Sequence, residues 1–192
     1  MIRIRRACPS DASVIGAIHV ATWRNAYAGV LPESYLKSLS PLRHAVGYEQ
    51  AISERRHGHA VFVAVATGED APLGAEDAAT VVGFISGGKS RRAAENSAGE
   101  VETLYLLDDY RERGVGRRLM RAMAAHLAAI GCRSVMLWVL KDNPARWFYA
   151  RLGGRQVARE VIRFAGQMME QIAVDWDPIE TLLAATATAP ER

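Results

Sequence analysis

Residues 104–119 read LYLLDDYRERGVGRRL. An apolar run ends at Leu107, a polar turn follows, and Arg111, Gly114 and Gly116 fall in the spacing R-x-x-G-x-G. An amphipathic segment begins at once, with Leu119, Met120, Met123, Leu127 and Ile130 recurring at helical intervals. A strand that passes through a glycine turn into a helix presents backbone N–H groups at the helix start, and small residues let a ligand approach them. The helix dipole, with Arg113, Arg117 and Arg118 nearby, favours an anion there. A P-loop is excluded, because Gly116 is followed by Arg117 and Arg118 rather than by Lys and Ser or Thr. The dinucleotide fingerprint is excluded too, because Leu119 stands where its third glycine belongs. Two readings remain at this point: another kind of anion site, or a strand-to-helix turn that binds nothing.

Outward from this turn, apolar periodicity sets out the rest of the chain. Ile2–Arg6 alternates and reads as a strand, Pro9-Ser10-Asp11 opens a helix with Ser10 or Asp11 as N-cap, and that helix runs to about Trp23–Tyr27 and breaks near Gly29. A short helix over 32–39 and a third over 43–56 follow. Ala60–Ala66 and 80–86 read as an antiparallel hairpin with a long connection, and 89–99 as a structureless charged loop. Strand 100–107, helix 116–130 and strand Ser134–Leu140 form a parallel strand–helix–strand unit. A short helix over 143–152 stops at Gly153-Gly154, and strands 156–165 and 168–176 turn about Gly166. The fold expected is α+β: a mixed, mostly antiparallel sheet of about seven strands, flanked by four to five helices, with a central parallel pair. Residues 1–177 form one domain, and 178–192 a C-terminal extension whose tail after Leu183 is disordered.

Composition narrows the function classes. The 192 residues suffice for one domain with a real core, and 49% hydrophobic with 23% charged residues is ordinary for a soluble protein. A net charge of +3 does not call for nucleic acid, and the arginines of 111–121 carry no interleaved aromatic residues. No run of about 18 apolar residues suggests a membrane span. Cys8 and Cys132 make no C-x-x-C, and the basic N-terminus lacks an apolar leader segment, so a cytoplasmic setting is expected. The histidines show no ligand spacing beyond a lone H-x-H at 57–59. No metal is expected, and surface or capping roles are assigned to them.

Three segments in this order resemble the GNAT acetyltransferase superfamily, over roughly residues 1–175. R-E-R-G-V-G-R-R (111–118) is similar to its Q/R-x-x-G-x-G/A acetyl-CoA loop, and N-P-A-R-W-F-Y-A-R-L-G-G (143–154) to its N-x-A-x-x-F-Y-x-x-x-G helix. W-R-N-A-Y-A-G-V-L-P (23–32) matches a stretch of one bacterial subgroup. The resemblance implies acetyl-CoA as acyl donor and an amine as acceptor. The backbone of Leu104, Tyr105 and Leu106 would pair with the pantetheine arm. Arg111 belongs to the loop motif, and Glu112, Arg113, Gly114, Val115, Gly116 and Arg117 would hold the pyrophosphate. Asn143 would lie near the pantetheine or thioester end, and Tyr149 would protonate the departing thiolate. Asp108 stands where the family often has proline, and Gly154 where it usually has an aromatic residue.

The chemistry requires the amine to lose a proton, the oxyanion to be stabilised and the sulfur to be helped away. Tyr149, whose phenol has a high intrinsic pKa, suits the last task; the alternative is a core tyrosine with a satisfied hydroxyl. Glu102 alternates onto the strand face of Leu104 and Leu106 and is a candidate base, directly or through water, with Glu100 farther out as a rival. It could instead orient substrate. Trp23 and Tyr27, at i and i+4, are either core aromatics or a wall of the acceptor pocket. That pocket is expected from 23–35, 88–99 and the last two strands. Its occupant is a small-molecule or peptide amine. A homodimer is compatible with the family. The rival function is a non-catalytic acyl-CoA sensor on the same fold, which needs the loop but neither Tyr149 nor Glu102.

Overall fold

The computed structural model describes residues 1–75, 78–90 and 98–187. Seven strands form one sheet: β1 (Ile2–Arg6), β2 (Ala60–Ala66), β3 (Thr80–Lys89), β4 (Ala98–Leu106), β5 (Ser134–Leu140), β6 (Arg155–Phe164) and β7 (Gln167–Trp176). Their order across the sheet is β1-β2-β3-β4-β5-β7-β6. Every neighbouring pair is antiparallel except β4 and β5. Six α-helices accompany them: α1 (Ala12–Ala26), α2 (Glu33–Ser38), α3 (Pro41–Glu54), α4 (Val115–Ala129), α5 (Ala145–Arg151) and α6 (Glu180–Ala185).

Helices cover both faces of the sheet. That is why β2 is a continuous apolar run, AVFVAVA, rather than an alternating strand. Val61, Val63 and Val65 pack with Ile15, Ile18 and Ile52 of α1 and α3 on one face, whereas Ala60, Ala64 and Ala66 meet the α4 side. Leu119, Met120, Met123 and Leu127 are fully buried, as the helical spacing predicts, each contributing about 1.5–3 kcal/mol by leaving water.

Several boundaries and faces differ from the sequence reading. Helix α3 starts at Pro41 because Ser40 caps it, its side chain accepting from Arg43 N. Asp11 precedes α1 without capping it; its carboxylate instead accepts from Cys8 N and from Arg5 at 2.7 and 2.8 Å. Within the segment read as a loop, Lys89 finishes β3, and Ala98 and Gly99 open β4; residues 91–97 lie outside the described residues. The extension is not a plain tail. Ile179 and Leu182 are buried against the α4 face, and Ala184 and Ala185 complete α6; residues 188–192 lie outside the described residues.

A β-bulge corrects the expected face of Glu102. Strand β4 pairs Val101 with Gly87 and Thr103 with Ser86, which leaves Glu102 as the extra residue. Alternation is broken there. Val101, Leu104 and Leu106 join the α4-side core, and Tyr105 joins the α1 side. Glu102 is set beside Tyr48 and His59 instead of in line with Leu104.

Candidate active site

The parallel ladder between β4 and β5 is short. It holds Ala98–Ser134, Gly99–Val135 and Glu100–Met136 only. Past Glu100, β4 continues on β3 and β5 continues on β7. The β5-facing backbone edge of Leu104, Tyr105 and Leu106 therefore lies outside that ladder, where an extended ligand arm can add as a short strand.

The glycine turn stands at the end of this opening. Leu107 leads into a 3₁₀ turn, Asp108–Tyr110. Asp108 in the family's proline position accepts from Asn25 Nδ2 at 2.8 Å and from Arg111 at 2.9 Å, so side-chain bonds hold the turn. Glu112 and Gly114 have φ of 59° and 75°, and Gly114 is the N-cap of α4. The first-turn amides of α4 have no partner within the helix and face the turn. Gly116 sits near α5: a Cβ there would lie 3.4 Å from Phe148 Cζ and 3.5 Å from Leu106 Cδ1. The turn thus fits a diphosphate-sized anion in its backbone geometry. Its arginines are engaged elsewhere in this state. Arg113 pairs with Asp70, Arg117 donates to Ala187 O, and Arg118 donates to Ile2 O.

Helix α5 brings the second motif to the same place. Asn143 Oδ1 accepts from Ala145 N at 2.9 Å and starts the helix. Its Nδ2 donates to the Tyr27 hydroxyl, also at 2.9 Å. Tyr149 is 7% exposed, its ring edge-on to Phe148 and Trp176. Burial pushes its phenol well above the ordinary value, and the neighbouring Tyr27 hydroxyl adds to the shift. Burial likewise raises Tyr27, with the bond from Asn143 opposing it.

On the other side of the opening, Trp23 Nε1 donates to the Tyr105 hydroxyl at 2.8 Å. Burial raises the Tyr105 phenol, and this bond opposes the rise. The Trp23 ring contacts those of Tyr27, Tyr35 and Phe164. Asn143 and Trp23 can only donate at these nitrogens, so the hydroxyl protons of Tyr27 and Tyr105 point away from them. Tyr27, Tyr105, Tyr149 and Asn143, called from separate segments, are thus brought together.

Glu102 stands differently. Its carboxylate, 43% exposed, accepts from His59 Nε2 at 3.1 Å. Glu100 accepts from Ser90 Oγ at 3.2 Å. Neither His59 nor the buried His19 was singled out by sequence, and His19 is a correction to the surface role assigned to the histidines. It is 9% exposed, stacked on His44 and hydrogen-bonded to Tyr48.

A cavity of about 340 Å³ adjoins Tyr27 and Asn143. Ala26, Tyr27 and Val30 form one wall, Leu140, Asp142 and Asn143 a second, and 167–170 at the start of β7 a third. The first and third walls come from two of the three segments expected to form an acceptor pocket; of the third, 88–99, no described residue lines this cavity, and 91–97 lie outside the described residues. The second, the β5–α5 turn, was seen only as a helix start. Among the described residues no group of three or more acidic, His or Cys side chains is placed to hold a metal, and no helix is long and apolar enough to cross a membrane.

Comparison with known proteins agrees with this geometry. The model of the Acetyltransferase (GNAT) family matches residues 21–154. Over 182 residues the chain is 29% identical to the uncharacterized N-acetyltransferase YuaI of Bacillus subtilis (strain 168), spanning 95% of this chain and 96% of that protein. The PaiA N-acetyltransferase of Thermoplasma acidophilum, solved with coenzyme A, has the same fold, with a TM-score of 0.66 and 17% identity over 92% of this chain and 99% of that one. The ribosomal-protein-alanine N-acetyltransferase of Brucella melitensis gives a TM-score of 0.67 and 18% identity over 91% and 99%. With both motifs and the sheet opening in place, the chain belongs to the GNAT acetyltransferase family and is an acetyl-CoA-dependent acyltransferase.

Proposed function

We propose that this enzyme moves the acetyl group of acetyl-CoA onto a primary amine by direct attack within a ternary complex. The observation that carries the reading is the end of the β4–β5 ladder at Glu100–Met136, with Tyr149, Asn143 and Tyr27 gathered beside the opening. The bound thioester supplies an electrophilic carbonyl and a sulfur leaving group. Residues 112–117 hold its diphosphate, and the β5-facing edge of Leu104, Tyr105 and Leu106 orients the pantetheine arm. Asn143 braces the thioester end, while Trp23 and Tyr27 wall the acceptor side.

Tyr149 holds its proton firmly and delivers it to the sulfur. A thiolate expelled into the same dry pocket is destabilised as the tyrosinate is, so the transfer is not uphill by the full shift. Glu102 takes the amine proton through water, with His59 orienting its carboxylate. Direct transfer is supported by the cysteines. Cys132 is 3% exposed with its thiol pushed up by burial, and Cys8 Sγ donates to Asp11. Residues 1–177 act as one catalytic unit in the cytoplasm on a small-molecule or peptide amine, with a homodimer as the assembly the family resemblance suggests.

The test is Tyr149→Phe, assayed for acetyl transfer to a panel of amines beside a titration with acetyl-CoA. Turnover should fall by about 10²–10³-fold while donor affinity stays within about two-fold. Undiminished turnover removes Tyr149 as the acid. Donor binding without transfer to any amine in the wild type favours the acyl-CoA sensor.

A further inference from the structure

The cavity beside Tyr27 has a mixed lining. Tyr27, whose hydroxyl is held by Asn143, and Gln167 are polar parts of it. Ala26, Val30, Leu140 and Met169 add aliphatic surface. Two carboxylate side chains, Asp142 and Glu170, belong to the same lining. The charge of Glu170 is already matched, since Lys141 Nζ and Arg159 Nε each lie 2.8 Å from its oxygens. Asp142 is exposed on the β5–α5 turn, and among the described residues no cation or hydrogen-bond donor engages its carboxylate. One cavity therefore holds the Tyr27 hydroxyl, aliphatic surface and one carboxylate whose charge is not matched.

A monoamine seated with its nitrogen by the Tyr27 hydroxyl leaves Asp142 facing water. An amine carrying a second ammonium group beyond a short aliphatic chain can lay its methylenes on Ala26, Val30, Leu140 and Met169 and bring that charge to Asp142. We propose that Asp142 is a specificity-determining residue that selects acceptors bearing a second cationic group, aliphatic diamines being the simplest class. The inference rests on the proposed amine acetylation at this cavity. A half-solvated pair of this kind is worth about a five-fold gain in kcat/KM, and the gain shrinks as salt is added.

The experiment compares 1-aminopentane with 1,5-diaminopentane, at saturating acetyl-CoA and neutral pH, in the wild type and in Asp142→Asn. The quantity read is the diamine-to-monoamine ratio of kcat/KM, and the statistical advantage of two equivalent ends cancels between the two proteins. The ratio should fall about five-fold in the variant, and the wild-type ratio should fall with ionic strength. A ratio unchanged by the substitution overturns the assignment. Should neither amine be acetylated, calorimetric titration of 1,5-diaminopentane into the CoA-saturated proteins decides. Binding weakened by Asp142→Asn upholds the cation site and places the fault with the acetylation reading. Equal binding by both proteins, or none by the wild type, overturns the inference.

Discussion

A Cβ added to Gly154 would lie 2.5 Å from Val174 Cγ1 and 2.8 Å from Trp176 Cζ2. The family's usual aromatic side chain therefore has no room here. Trp176, reaching across from β7, fills the space and is anchored by Nε1 donating to Leu152 O at 2.8 Å. Gly154→Ala should cost about 1–3 kcal/mol in urea denaturation, and less in a Val174→Ala, Trp176→Leu background where both contacts are relieved. An equal cost in both backgrounds would mean that these two side chains are not what excludes the methyl group. The departure at 154 was visible in the sequence, but its reason was not, because the compensating residue comes from another strand. Glu102 teaches the same at the candidate base. Strict alternation put it with Leu104, and only pairing with β3 reveals the extra residue that breaks the alternation.

At the scale of elements, the donor site proposed is one strand edge and one helix start. Both elements were legible, because a glycine turn between an apolar strand and an amphipathic helix is encoded in adjacent residues. Gly116→Asp tests their union. The position tolerates a Cβ at ordinary contact distance from Phe148, so the main change is a negative charge among the amides of α4. Affinity for acetyl-CoA should drop about ten-fold or more, whereas Gly116→Ala should lose far less; isothermal titration reads both. Unchanged affinity in the aspartate variant would place the diphosphate elsewhere. The acceptor side proposed was less legible. Its cavity takes walls from the end of α1, the β5–α5 turn and the start of β7, and no local pattern links those three segments.

For the whole molecule, packing α1 and α3 over the sheet places an ionisable group in the interior. Burial and the stacked His44 depress His19 to about 3, against about 6.5 in the unfolded chain. The folded value is the lower, so the unfolded chain takes up the proton first. Stability is complete above pH 6.5 and is lost as pH falls toward 3. From pH 7.5 to 5.0 this group alone removes about 2 kcal/mol. Asp11 acts lower in the range: its hydrogen bonds from Arg5 hold it at about 2, and the stability it supplies above about pH 4 is lost below that. Urea denaturation at pH 7.5 and 5.0 should show the loss, and His19→Gln should reduce the difference by about 2 kcal/mol. An unchanged difference would mean that the imidazole titrates normally in the fold.

From the sequence alone came the strand and helix order, the α+β class, the glycine turn before α4 and the short helix that carries Tyr149. Each rests on periodicity or on residues within a few positions of one another, where backbone geometry follows from local chemistry. Tertiary structure alone decided the face of Glu102, the burial of His19, the docking of α6 and the lining of the cavity beside Tyr27. These depend on strand register and on which distant surfaces meet, and a one-residue offset in a strand reverses its faces without altering the hydrophobic pattern that encodes it. The R-x-x-G-x-G turn accordingly pointed to the family before any fold was known, while Asp142 lines a cavity only because β5, β7 and α1 close around it.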